Sequence, residues 1–178
     1  MTLLVGDDVV DLEEPDNVRH HPRFAARITS DEERAMLASS PHPHVLLWTL
    51  FAAKEAAFKV AAKLGPPPVF AHARFVVAPD LTAVRWEGIE LFLRIERGDG
   101  YVHAIATTSD APIETRVSVI APGDDPSRAV RALLGREVTR APLPGGWDGY
   151  GPPRLRSGLD VSLSHDGRFV SYALPRVA

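Results

Sequence analysis

Apolar positions recur along the chain in two rhythms. Between about Val45 and Lys63 the spacing is helical: Trp48, Phe51, Phe58 and Ala62 fall along one stripe, with Glu55 in its middle. Ala, Leu, Lys and Glu dominate this stretch, and no Pro or Gly interrupts it before Gly65-Pro66-Pro67-Pro68 stops it. A shorter helix opens at Thr29-Ser30-Asp31-Glu32-Glu33, where Thr29 or Ser30 caps and Glu32 or Glu33 completes a capping box. Glu13 to Pro22 reads as polar loop, and Ser127–Arg136 as a capped amphipathic helix.

The second rhythm is alternation. It predicts strands at Phe75–Val77, Thr82–Trp86, Ile89–Glu96, Tyr101–Thr107 and Ile113–Ile120, with Arg97-Gly98-Asp99-Gly100 as a hairpin turn. Near the start, Leu3–Val5 and Val9-Val10 favour a strand that Asp7, Asp8 and Asp11 puncture. When extended, it puts Asp8 and Val10 on one face and Asp7, Val9 and Asp11 on the other. Pro142–Pro153 is a Gly/Pro loop holding Trp147 and Tyr150, and Asp160–His165 leads into Phe169–Leu174 as a last strand pair. The order (strand, helices, strands, then helix and strands again) makes the class α+β. It also suggests two related halves meeting near Ser109–Glu114.

Composition narrows the function. The 178 residues are enough to bury a real core, and 45% hydrophobic with 24% charged is the balance of a globular protein. A net charge of −3 gives no support to general nucleic-acid binding. The lack of cysteine excludes disulfides, thiolate metal sites and a cysteine nucleophile. No apolar run approaches a membrane span, and the acidic start does not resemble a signal peptide, so a cytoplasmic location is expected.

Asp8 and Glu55 are the acidic residues set most awkwardly among apolar neighbours. A carboxylate on an apolar face needs a cation, because desolvating it alone is costly. Helix geometry favours Lys59, one turn on, as the partner of Glu55. The sharper alternative is a hard metal ion such as Mg²⁺ shared by Asp8 and Glu55. Ser164-His165-Asp166-Gly167 lacks the strained turn of a hydrolase nucleophile, and His20-His21, His42 and His44 give no zinc spacing. There is no glycine-rich phosphate loop, so a nucleotide would be held by basic side chains, with Lys54, Lys59, Arg136 and Arg154 as candidates.

Taken together the motifs resemble a known family. Gly6-Asp7-Asp8-Val9-Val10-Asp11-Leu12 resembles the opening motif of the 4′-phosphopantetheinyl transferases. Phe51-Ala52-Ala53-Lys54-Glu55-Ala56-Ala57-Phe58-Lys59 is similar to their second motif, and Arg27–Glu33 to the segment between. Val161-Ser162-Leu163-Ser164-His165, preceded by Gly151-Pro152-Pro153-Arg154-Leu155, resembles a further motif that the larger surfactin-synthetase type carries in its first half. The resemblance therefore implies a pseudo-dimer of two similar α+β halves in permuted order: 1–110 with the metal motifs, and 111–178 with the Ser-His motif. The competing form is a small trimeric holo-acyl-carrier-protein synthase with an insertion. The permuted pseudo-dimer, a monomer in solution, is preferred because Tyr101–Ala106 already resembles the closing strand of a metal-binding half.

The resemblance implies transfer of phosphopantetheine from coenzyme A to a serine of an acyl or peptidyl carrier protein. Asp8 and Glu55 would be ligands of Mg²⁺, or of Mn²⁺ in its place, with Glu55 and Lys59 catalytic. Lys54, Lys59, Arg136, Arg154, Ser164 and His165 would hold the coenzyme. Two departures stand out. Val10 replaces an acidic residue of the surfactin type, and Pro152 stands where a basic residue usually meets a coenzyme phosphate. The second departure keeps an alternative open: a non-catalytic relative that binds a carrier or synthase protein.

Overall fold

The structure, a computed structural model, describes residues 3–21, 23–65, 71–143 and 149–176. Strand β1 (Val5–Asp11) is followed by the short helices α1 (Pro15–Val18), α2 (Phe24–Ile28) and α3 (Asp31–Ser39), then by the long helix α4 (Pro43–Leu64). Strands β2 (Val76–Val77), β3 (Ala83–Trp86), β4 (Ile89–Gly98), β5 (Tyr101–Thr107) and β6 (Ile113–Val119) come next. Helix α5 (Pro126–Leu134) precedes β7 (Val138–Thr139), β8 (Arg154–Leu155), β9 (Ser162–Asp166) and β10 (Phe169–Pro175). The α+β class holds. The polar loop expected over Glu13–Pro22 contains α1, which Pro15 starts as a preorganised first residue. Pro66–Pro68 and Trp147 lie outside the described residues.

An antiparallel sheet in the order β1-β5-β4-β3-β2 and a second in the order β6-β10-β9 account for the long strands. Helix α4 covers one face of the first sheet. Trp48, Leu50, Ala52, Ala53, Ala56 and Val60 pack there with Val10, Val84, Leu91 and Ala104 in the larger core. The opposite face of β1 and β5 meets the second sheet through Val5, Ile105, Ile113 and Ala173. A third cluster (Leu134, Leu155, Val161, Tyr172 and Leu174) lies between α5 and the outer face of that second sheet. β1 is thus sandwiched, which is why nearly all of it is buried. Among the described residues no helix is long and apolar enough to cross a membrane.

Two local devices set the position of α4. Ser30 caps α3, its Oγ accepting from the Glu33 N–H while Glu33 Oε2 accepts from the Ser30 N–H. The same Glu33 then accepts from Lys54 Nζ of α4 at 2.6 Å and from the Val77 N–H of β2 at 2.9 Å. At Gly6, β1 approaches α4 so closely that a Cβ would collide with the Ala56 carbonyl oxygen. Glycine here lets the strand bring Asp8 against the helix.

Candidate functional site

Asp8 and Glu55 line one cleft of about 250 Å³ between β1, α4 and β9. Its polar lining also includes Asn17, His165 and Asp166, and its apolar lining Val10, Phe24, Trp48 and Phe51. β1 presents Asp8 on the side of α4, as strand alternation requires, and α4 presents Glu55 from its middle. Glu55 Oε1 lies 3.4 Å from His72 Nε2, and the His72 ring stacks on Phe51. Lys59 does not take Glu55 as its partner. Its Nζ donates to Asp8 Oδ1 at 3.0 Å and to the Asp7 carbonyl at 2.6 Å, because Gly6 lets β1 come within reach of that turn.

Burial is the largest influence on Asp8. Lys59 opposes it and the Glu55 carboxylate adds to it, and the result is a group raised to about 6. Lys59 loses by burial but faces Asp8, Asp7 and Glu55, so its ammonium is held above the ordinary lysine value. Two carboxylates lining one cleft form a donor set for a hard cation. Mg²⁺ takes one or two protein carboxylates and fills its remaining positions with water and substrate phosphates. Asp8 Oδ2 has no protein hydrogen bond among the described residues, which leaves it available. Among those residues no group of three or more His, Cys, Asp or Glu side chains forms a closed metal cage. The site therefore fits an open Mg²⁺ position and not an all-protein one.

The remaining expected residues divide. His165 is exposed on β9 and lines the cleft. Ser164 is buried beside it and donates to Asp8 Oδ1 at 2.8 Å. Lys54 is fully buried, bonded to Glu33 and to the Ile28 carbonyl, and does not line the cleft. Arg136 pairs with Glu114, which also accepts from the Tyr172 hydroxyl on the α5 side of the second sheet. Arg154 lies in β8 beside Leu155 of the same outer core, and neither arginine lines the cleft. Sequence reasoning missed Asn17 and Asp166. Asn17 Nδ2 donates to Asp166 Oδ2 at 2.7 Å and to the Asp11 carbonyl. The signal for Asp166 was present: oxygen-bearing side chains stand at 160, 162, 164 and 166, every second position.

Fold and cleft together define an α+β protein whose two-carboxylate site lies where its two sheets meet. The family model described as the 4′-phosphopantetheinyl transferase superfamily matches residues 4–106, more than half of the chain. The chain belongs to that superfamily. The matched stretch contains Asp8, Glu55 and Lys59, and the Ser-His strand follows it. Among solved structures, the holo-[acyl-carrier-protein] synthase of Thermotoga maritima is similar with a TM-score of 0.45 and 18% identity, over 88% of this chain and 87% of that one. No curated protein matched.

Proposed function

We propose that the chain is a Mg²⁺-dependent transferase that moves 4′-phosphopantetheine from coenzyme A to a serine hydroxyl of an acyl or peptidyl carrier protein, releasing adenosine 3′,5′-bisphosphate. The observation that carries this is the convergence of Asp8, Glu55 and His165, from three separate elements, on one cleft. Asp8 and Glu55 hold Mg²⁺, or Mn²⁺ in its place; when bound, the ion neutralises charge on the transferring phosphoryl group. The serine oxygen bonds to the phosphorus that carries the pantetheine arm. The bond from that phosphorus to the bridging oxygen breaks, and the bisphosphate leaves with the oxygen. Glu55 takes the serine proton.

Lys59 keeps its charge beside Asp8, and about 29% of its side chain reaches solvent, so it offers an ammonium to the pyrophosphate. His165 offers a ring N–H to a phosphate oxygen. Holding these groups in place before the substrates arrive is the main service a protein renders to phosphoryl transfer. The same reading makes 1–110 and 111–178 the two halves of a monomeric pseudo-dimer, since the strands of each sheet come from one of those segments. A 19.4 kDa chain would then elute as a monomer.

Mass spectrometry of apo carrier proteins incubated with coenzyme A, Mg²⁺ and the protein tests the activity. The expected result is a carrier heavier by one phosphopantetheine. No added mass across fatty-acid, polyketide and peptide carriers would overturn the proposal.

A further inference from the structure

Four oxygen-bearing side chains on β9 and its approach stitch that segment to β1. Asp160 Oδ2, Ser162 Oγ, Ser164 Oγ and Asp166 Oδ2 accept, in turn, from the N–H groups of Val5, Asp7, Val9 and Asp11, at 2.8, 2.8, 3.3 and 2.8 Å. The sequence separation is 155 at every rung, so the two segments run parallel in one register. Side-chain oxygens occupy the place that a neighbouring strand's carbonyls would take. A slip of one residue would turn all four away.

One rung does more than join the strands. Ser164 is 6% exposed, and besides accepting from Val9 it donates to Asp8 Oδ1 at 2.8 Å. A serine hydroxyl has a single hydrogen. With the Val9 N–H on one lone pair, that hydrogen is committed to Asp8. Lys59 Nζ reaches the same oxygen at 3.0 Å. Both protein donors thus meet Oδ1, and Oδ2 is left without a protein hydrogen bond among the described residues.

We infer that Ser164 is a positioning residue: it pins Asp8 Oδ1 so that Oδ2 is presented to a cation in the cleft. This rests on the two-carboxylate reading proposed above. Ser162 supplies an internal comparison. It forms the adjacent rung, is equally sequestered at 2% exposed, and accepts from the Asp7 N–H without touching Asp8.

Mn²⁺ titration of the purified full chain, followed by loss of the free-ion electron paramagnetic resonance signal and accompanied by thermal melts, tests the inference without coenzyme or carrier. Loss of a group that orients a metal ligand costs ~10–100-fold in affinity, so Ser164→Ala is expected to bind Mn²⁺ at least ~10-fold more weakly, while Ser162→Ala binds like wild type though both melt earlier. Ser164→Thr, which keeps the hydroxyl, regains most of the affinity. Ser164→Cys fills the same space with a weak donor and carries the same expectation as Ser164→Ala if the alanine variant does not fold. Undiminished binding by Ser164→Ala or Ser164→Cys beside tight wild-type binding overturns the positioning role alone. Equal losses in Ser162→Ala and Ser164→Ala overturn it too, by tying affinity to the strand junction as a whole. A wild-type chain that leaves the free-ion signal unchanged overturns the metal reading and this inference together.

Discussion

Asp7 and Asp8 are consecutive on β1, and the alternation of a strand sends them to opposite faces with opposite fates. Asp7 faces the second sheet, fully buried, where its Oδ2 accepts from His103 Nε2 at 3.0 Å and from the Ser171 hydroxyl at 2.6 Å. Burial alone would raise it, but the hydrogen bond and charge of His103, with the charge of Lys59, bring it down to about 2. Asp8 faces α4 and the cleft, and burial with Glu55 opposite takes it up to about 6. Both side-chain bonds of Asp7 fall on Oδ2 and its Oδ1 is buried without a partner, whereas Asp8 lines the cleft. A buried charge held low by a cationic partner marks the aspartate between the sheets, and a charge opposed by burial and by a second carboxylate marks the one at the cleft.

The comparison can be broken at either residue. The largest effect is expected on the cleft side. Asp8→Asn or Glu55→Gln should cut carrier modification, measured by mass spectrometry, by more than the ~100-fold typical of losing an outer partner of a metal ligand. Melting temperature should hardly change. Full activity in either variant would show that the cleft carboxylates are not the reactive ones. Asp7→Asn should do the reverse by exposing the buried His103 charge. Breaking a buried pair costs ~3–5 kcal/mol, a drop of roughly 6–20 °C in melting temperature for a chain of this size. Transfer activity at low temperature should persist.

A smaller effect appears with pH. His103 donates from Nε2 to Asp7 and from Nδ1 to Glu96, which also faces Arg94. Burial would lower His103, but those two hydrogen bonds raise it to about 9 from 6.5. A group raised in the folded state stabilises fully below its unfolded value and loses that contribution as pH rises through the folded one. The melting temperature should therefore decline between pH 6.5 and about 9. That slope should flatten in His103→Gln; an equal slope in the variant would assign it to other groups.

The smallest effect belongs to Asp11, also on the Asp7 face, which holds Arg168 through both carboxylate oxygens at 2.8 Å. Arg168 is about half exposed, so Arg168→Lys, which removes the fork but keeps the charge, should barely move the midpoint of a denaturant titration.

Local chemistry in the sequence reached most of the elements, while the grouping of Asp8, Glu55, Lys59 and His165 came from the family resemblance. The Ser30 cap, the length of α4 and the alternating strands all follow from neighbours within a turn or two. Residues whose meaning depends on distant partners were not legible. Lys54 and Lys59 look alike in the motif, yet they stand roughly 140° apart around the helix. One enters the core to meet Glu33, 21 residues back, while the other reaches Asp8 on β1. Asp7 reads as a turn-like polar interruption until β5 brings His103 from 96 residues away. Arg136 and Arg154 stand out in the sequence by charge alone, and charge does not say which side of a sheet a residue occupies.

The junction of β1 with β9 also bears on how this chain survives in a crowded solution. β1 is an edge strand of its sheet, and an edge with open N–H and C=O groups is a template for any passing strand. Here the outward N–H groups of Val5, Asp7, Val9 and Asp11 are all taken by side chains. Lys63, Lys59 and Asn17 take the outward carbonyls of Val5, Asp7 and Asp11. The strand that carries Asp8 is closed to intermolecular pairing along these groups without being paired there as a strand. Clipping away the C-terminal hairpin would reopen that edge, and self-association would be the first sign of the loss.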